Sequence, residues 1–202
     1  MAKAPLPGYA KTRLIPSLGV DGAAALARRL LAHAVANALA AGLGPVQLHC
    51  APGAGAAGFE PFAGLDRLTL CDQLSGDLGA RMRGAFESAL AGPDGSEGSD
   101  GGALLIGTDT PALDAGVLRE AADALLAHDA VFVPTHDGGY ALVGLRRPAP
   151  ALFEGMTWST PRVMADTRAR LAGSGLTHAE LATQHDIDEA ADLIHLPSGW
   201  IT

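Results

Sequence analysis

Apolar residues recur every fourth position at Leu31, Val35 and Leu39, while Arg29, His33 and Asn37 lie about 200° around the same helical path. The spacing predicts a helix over 21–41 with one buried face and one wet face. Beyond it the period falls to two: Val46, Leu48 and Cys50 alternate with Gln47 and His49, as in a short strand. "RLTLC" (67–71) repeats the strand pattern, "DLGARMRGAFESALA" (77–91) the helical one, and "ALLIG" (103–107) reads as a buried strand. A helix over 115–127 follows, then strands at "AVFVP" (130–134) and "YALVGL" (140–145). Thr160 is expected to cap a helix whose first residue is Pro161, and a last helix is expected over 188–196.

This alternation predicts one α/β domain over 1–202, a three-layer α/β/α arrangement on a mostly parallel sheet. In such sheets ligands collect beyond the carboxyl ends of the strands. "APGAGAAG" (51–58) and "GPDGSEGSDGG" (92–102) are expected to be surface loops, since neither carries the apolar residues that would anchor it.

The formal net charge of −8 argues against a nucleic-acid or anionic-membrane binder, which needs clustered Lys and Arg. A small anionic ligand held by one local basic pocket stays compatible with it. Two cysteines, Cys50 and Cys71, form neither a CxxC pair nor a disulfide framework, and no apolar run approaches the ~20 residues that cross a bilayer. A cytoplasmic protein without a membrane segment is expected.

Chemistry concentrates in a few segments. The opening "MAKAPLPGYAKTRL" (1–14) ends in Lys11-Thr12, but Pro5 and Ala10 stand where a phosphate-binding P-loop needs glycine, and Pro5 and Pro7 lack amide donors. What remains is a proline-braced turn presenting cations, with Arg13 offering a planar fork for phosphate oxygens, or else a solvated basic tail. In "LLIGTDTPAL" (104–113), Asp109 ends a strand, where it would serve a hard cation such as Mg²⁺ or cap the following turn. In "HDIDEAADL" (185–193), Asp186 and Asp188 straddle Ile187, so an extended backbone would point both carboxylates at one cation. Asp188 is equally an N-cap for the last helix. In "HDGGYALVGL" (136–145), the paired glycines after Asp137 make a tight hairpin or admit a ligand close to the backbone. No GxSxG elbow or HExxH spacing occurs.

"AKAPLPGYAKTRL", "GDLGARM", "GTDTPAL", "DGGYALVGL", "FEGMTWSTPRV" and "HDID", in that order, resemble a bacterial glycosyltransferase-like family, a domain of unknown function. That family has the nucleotide-diphospho-sugar transferase (GT-A) fold and is distantly similar to 2-phospholactate guanylyltransferases. The resemblance covers residues 1 to about 193. It implies that Lys3, Gly8, Lys11 and Arg13 lie over the nucleotide phosphates, with Gln73, Asp77 and Arg81 bordering base and ribose. Asp109 would take the metal position of an Asp-x-Asp motif whose second acid is here Pro111, and Asp186 or Asp188 would supply the missing ligand. Asp137, Gly138, Gly139, Tyr140 and Trp158 would face the acceptor, with Asp109 and Asp137 catalytic. In relatives a hydrophobic first strand precedes the loop, so a chain opening at the loop is expected either to begin upstream or to lack its central strand, with a compromised nucleotide site.

The expected activity is transfer from a nucleoside-diphosphate sugar to a small-molecule acceptor, dependent on Mg²⁺ or Mn²⁺. Two alternatives stand beside it: nucleotidyl transfer as in 2-phospholactate guanylyltransferases, and a catalytically inactive nucleotide-binding protein.

Overall fold

The computed structural model describes residues 1–91 and 101–201, so most of the loop expected over 92–102 lies outside the described residues. The chain divides into two compact units. Met1–Gln73, Gly107–Gly116 and His185–Thr202 make the first; Leu74–Ile106 and Val117–Gln184 make the second.

In the first unit, β1 (Ala2–Lys3), β2 (Val46–Ala51) and β3 (Leu68–Asp72) form a parallel sheet in the order β1-β2-β3. The chain thus opens on a two-residue strand, Ala2 and Lys3 pairing with Cys50 and Ala51, before it reaches the proline-rich loop. The alternation in β2 turns Leu48 and Cys50 into a core with Ala4, Phe59, Phe62 and Leu68. Against it lies α1 (Ile15–Ala41), whose Leu31 and Val35 are buried as the four-residue spacing requires. Gly19 (φ 71°) interrupts α1, and Gly42 in the left-handed region ends it, a conformation glycine adopts without steric cost. A second cluster joins Leu14, Ala23, Leu26 and Leu30 to Ile187, with Leu193 and Trp200 packed on it. Ile187 is fully buried, which brings its neighbour Asp188 to the opening loop.

The second unit holds α2 (Leu78–Leu90), β4 (Ala103–Ile106), most of α3 (Ala115–Ala127), β5 (Ala130–Pro134), β6 (Tyr140–Leu145), α4 (Val163–Ser174) and β7 (His178–Glu180). Its sheet runs β4-β6-β5-β7, with β6 antiparallel to both neighbours and β7 parallel to β5. Five residues cannot make the crossover that parallel strands need, so the short 135–139 turn reverses β6 onto β5. Gly144 faces Leu104 and Val131, and a Cβ there would fall 2.5 Å from the Leu104 side chain. The strand β7 carries no apolar alternation and was missed by the periodicity.

Two helix starts differ from expectation. Arg162 is the N-cap of α4, without a side-chain cap bond, while the Thr160 hydroxyl donates to the Thr157 carbonyl instead. The last helix is a 3₁₀ segment, Ala190–His195, capped by Glu189 in a reciprocal pair with Asp192. Asp188 is not the cap because its carboxylate is held by cations on the opening loop. Among the described residues no helix is long and apolar enough to cross a membrane.

Candidate functional site

The opening loop is fixed from two sides. Arg28 of α1 donates to the Pro5 carbonyl at 3.2 Å, and Gly58 lies so close that a Cβ would sit 2.8 Å from the Pro5 ring. Leu6 accepts from the amides of Tyr9 and Ala10, closing a turn through Gly8 (φ 72°). At Lys11 the backbone is left-handed (φ 52°, ψ 40°), which costs a side-chain-bearing residue roughly 1–2 kcal/mol.

That conformation directs the Lys11 side chain at three oxygens. Its ammonium lies 2.7 Å from Asp109 Oδ1 and 3.8 Å from Asp188 Oδ1, and it donates to the Ile187 carbonyl at 2.5 Å. The Lys11 side chain is 6% exposed, against 48% for Asp109 and 41% for Asp188. The cation is therefore enclosed and the carboxylates are open to solvent. Arg13 lies outside it, donating to Asp188 Oδ2, with Glu189 3.9 Å away.

Asp109 is held through its backbone. Its carbonyl accepts from the Ile187 amide at 2.9 Å, tying together two segments that lie far apart in sequence. Two polar residues of α1 hold the chain just beyond: His33 Nε2 donates to the Pro111 carbonyl at 2.9 Å, and Asn37 Oδ1 accepts from the Ala115 amide at 3.2 Å. The wet face read from the helical spacing therefore does positional work, and sequence reasoning missed these two residues. The signal for them was a polar pair four apart on one helix face.

Of the other residues expected to touch the nucleotide, Lys3 stands exposed in β1 and Gly8 in the loop turn. Gln73 donates its side-chain amide to the carbonyls of Ala2 (3.0 Å) and His49 (2.9 Å), lacing β1 to β2. Asp186 is half-buried beside Ile187. Among the described residues no three His, Cys, Asp or Glu side chains are grouped as metal ligands, and Asp109 and Asp188 share an ammonium instead.

The remaining candidates lie in the second unit. Asp77 caps α2 by accepting from the Ala80 amide at 2.8 Å, and Arg81 donates to the Gly76 carbonyl at 3.0 Å. Asp137 belongs to the β5–β6 turn, where Oδ1 accepts from the Thr135 hydroxyl (2.5 Å) and the Gly139 amide (2.9 Å). Gly138 has φ 90°, and a Cβ there would fall 2.1 Å from the Pro161 carbonyl oxygen. Tyr140 turns its hydroxyl to Met82 Sδ at 3.9 Å, and burial pushes its phenol well above the usual range. Trp158 has a buried indole N–H with no hydrogen-bond partner among the described residues. A Cβ on Gly79 would lie 2.9 Å from that nitrogen, so glycine is what lets the ring lie against α2.

A family model described as "Uncharacterized protein conserved in bacteria (DUF2064)" matches residues 31–160. The chain belongs to this family. The span of the DUF2064 match includes Asp109, Asp137 and Trp158, while Lys11, Arg13 and Asp188 lie outside it. A crystal structure from Desulfovibrio desulfuricans G20, entitled a "putative nucleotide-diphospho-sugar transferase", is 29% identical with a TM-score of 0.83, covering 95% of this chain and 81% of that one. Rv0371c from Mycobacterium tuberculosis H37Rv is 20% identical with a TM-score of 0.53, covering 82% of this chain and 81% of its own. Its complex with manganese is 21% identical with the same TM-score, covering 84% and 86%. No curated protein matches the chain. The DUF2064 chain thus has a nucleotide-diphospho-sugar transferase-like fold.

Proposed function

We propose that this DUF2064 protein is a metal-dependent transferase that uses a nucleoside-diphosphate sugar as donor and a small hydroxylated molecule as acceptor. One observation carries the reading: Asp109 and Asp188, from distant parts of the chain, meet around the enclosed Lys11 ammonium, with Arg13 on the outer side of Asp188. A cation already suits the place, and two carboxylates with a main-chain carbonyl are the hard oxygen donors that Mg²⁺ and Mn²⁺ take. The manganese complex of Rv0371c and the name of the Desulfovibrio protein favour the same reading.

In this reading Asp109 and Asp188 hold the metal, with Asp186 beside them in the same segment. A divalent ion bound there would offset diphosphate charge as the leaving group departs. Lys11 and Arg13 supply charge-assisted hydrogen bonds to phosphate oxygens, and His33 and Asn37 keep the Asp109 segment in place. Gly8 belongs to the same loop and Lys3 to β1 just before it, while Gln73, Asp77 and Arg81 are assigned to base and ribose. The catalytic work of the protein is mainly positioning and electrostatics.

In the second unit, Asp137 is held by two hydrogen bonds on Oδ1, which leaves Oδ2 to accept the proton of an acceptor hydroxyl. The indole N–H of Trp158, without a partner among the described residues, is a donor that a hydroxylated ligand would satisfy, and an unmet buried donor costs about 1–3 kcal/mol. Gly138, Gly139 and Tyr140 complete this acceptor-side group.

Product analysis tests the proposal. Incubation with nucleotide sugars, candidate acceptors and Mn²⁺ should release a nucleoside diphosphate. Pyrophosphate released from nucleoside triphosphates, with no turnover of nucleotide sugar, would make the protein a nucleotidyltransferase. Metal-dependent nucleotide binding without either product would make it a binding protein.

A further inference from the structure

Lys11 and a divalent ion cannot fill the same place. The ammonium is enclosed, at hydrogen-bond distance from Asp109 and the Ile187 carbonyl, with Asp188 3.8 Å away. A metal bound by Asp109 and Asp188 would meet this fixed positive charge at close range, in a place where solvent screens it poorly. Resting on the metal reading above, we propose that Lys11 is a displaceable internal counter-ion: alongside Arg13, which holds Asp188 from outside, it neutralises the two carboxylates while no metal is bound, and it swings out to the substrate phosphates when metal arrives.

Three features fit a movable part. Lys11 carries a flexible four-carbon stem, unlike the planar fork of Arg13. Its left-handed backbone (φ 52°) is a strained state held by the surrounding contacts, and strain of this kind collects at switches and ligand clamps. Asp109 and Asp188 are half exposed, so an ion can reach them from solvent while Lys11 still occupies the interior side. The exchange leaves the site ready for an anion: Asp109 and Asp188 balance Lys11 and Arg13 without metal, a divalent ion in place of the ammonium leaves one net positive charge, and that charge and the released ammonium meet the charge that the nucleotide brings.

The chain has two lysines, Lys3 exposed in β1 and Lys11 enclosed, which gives a direct test on the unaltered protein. Acylation of both amines is followed by peptide mass spectrometry at fixed pH while Mn²⁺ is titrated, with calorimetry reporting Mn²⁺ binding on the same samples. The expected result is slow labelling of Lys11 without metal and at least about tenfold faster labelling with Mn²⁺ bound, Lys3 staying constant, as a shift from a closed to an open population requires. In parallel, Lys11→Met should bind Mn²⁺ alone up to about tenfold more tightly than the native chain, because no competitor has to leave, yet bind a nucleoside diphosphate more weakly. Measurable Mn²⁺ binding with an unchanged Lys11 labelling rate would overturn the exchange and leave the metal reading standing. Absence of Mn²⁺ binding in both the native chain and Lys11→Met would overturn the two together.

Discussion

The Lys11 cluster and the Asp137 turn are both built around an aspartate, yet they are assembled in opposite ways. Thr135, Asp137, Gly138 and Gly139 sit within five residues, held by the turn's own amides and a hydroxyl. Lys11, Asp109 and Asp188 come from three separate segments and are held by charge. A local turn has one geometry or none. A convergent ionic cluster can lose or exchange a member and keep its frame, because the backbone bond between Ile187 and Asp109 and the buried Ile187 side chain persist without it. The first should therefore fail as a fold and the second as a binding site.

Substitution at Gly138 should sharpen this contrast most. Gly138→Ala combines a positive φ with a Cβ 2.1 Å from the Pro161 carbonyl, and strain plus overpacking should cost about 2–5 kcal/mol of stability, read in chemical denaturation. Asp109→Asn comes next. It takes the nearer carboxylate from an enclosed ammonium, and a loss of roughly 1–3 kcal/mol is expected, moderated because Asp109 is half exposed. Asp188→Asn, at 3.8 Å from the ammonium, should cost less in stability than Asp109→Asn; the reverse order would mean that Arg13 and not Lys11 governs the cluster.

Smaller still is the surface pair Arg168–Glu180, with two contacts of 2.7 Å joining α4 to β7. Arg168→Met should cost less than about 1 kcal/mol because the Arg168 side chain is half exposed and solvent screens the pair. Its pH signature has a definite sign. Hydrogen bonding to Arg168 holds the Glu180 carboxyl below its ordinary 4.5, so the pair stabilises the fold above that value and the contribution disappears as the pH falls through the lowered one. Arg168→Met should flatten that part of the acid-stability curve; an unchanged curve would remove Glu180 as its source.

The same contrast explains what was legible in the sequence. Period-four and period-two patterns found α1 to α3 and the strands β2 to β6, since each buries its own regular stripe. The three-residue β7 has no such stripe, and the start of α4 was misplaced because Thr160 turns its hydroxyl to Thr157. Asp109 was recognisable as a carboxylate at the end of a strand, and Asp186 and Asp188 as a pair. Which acid joins Asp109 depended on the burial of Ile187 and on Lys11, relations between residues some 176 positions apart that no local pattern carries. Gln73, assigned to the base side, laces β1 to β2 with its amide, a role set by strand pairing that its sequence neighbours do not show.

In the proposed function, Asp109 and Asp188 together bind a divalent ion that in turn holds nucleotide phosphates. Calorimetric titration of a nucleoside diphosphate with and without Mn²⁺, in the native chain and in Asp188→Asn, tests it most directly. Mn²⁺ should strengthen nucleotide binding at least about tenfold in the native chain, a coupling of about 1.4 kcal/mol, and most of that gain should vanish in Asp188→Asn. Equal nucleotide affinity with and without Mn²⁺ in the native chain, or an undiminished metal effect in Asp188→Asn, would contradict it.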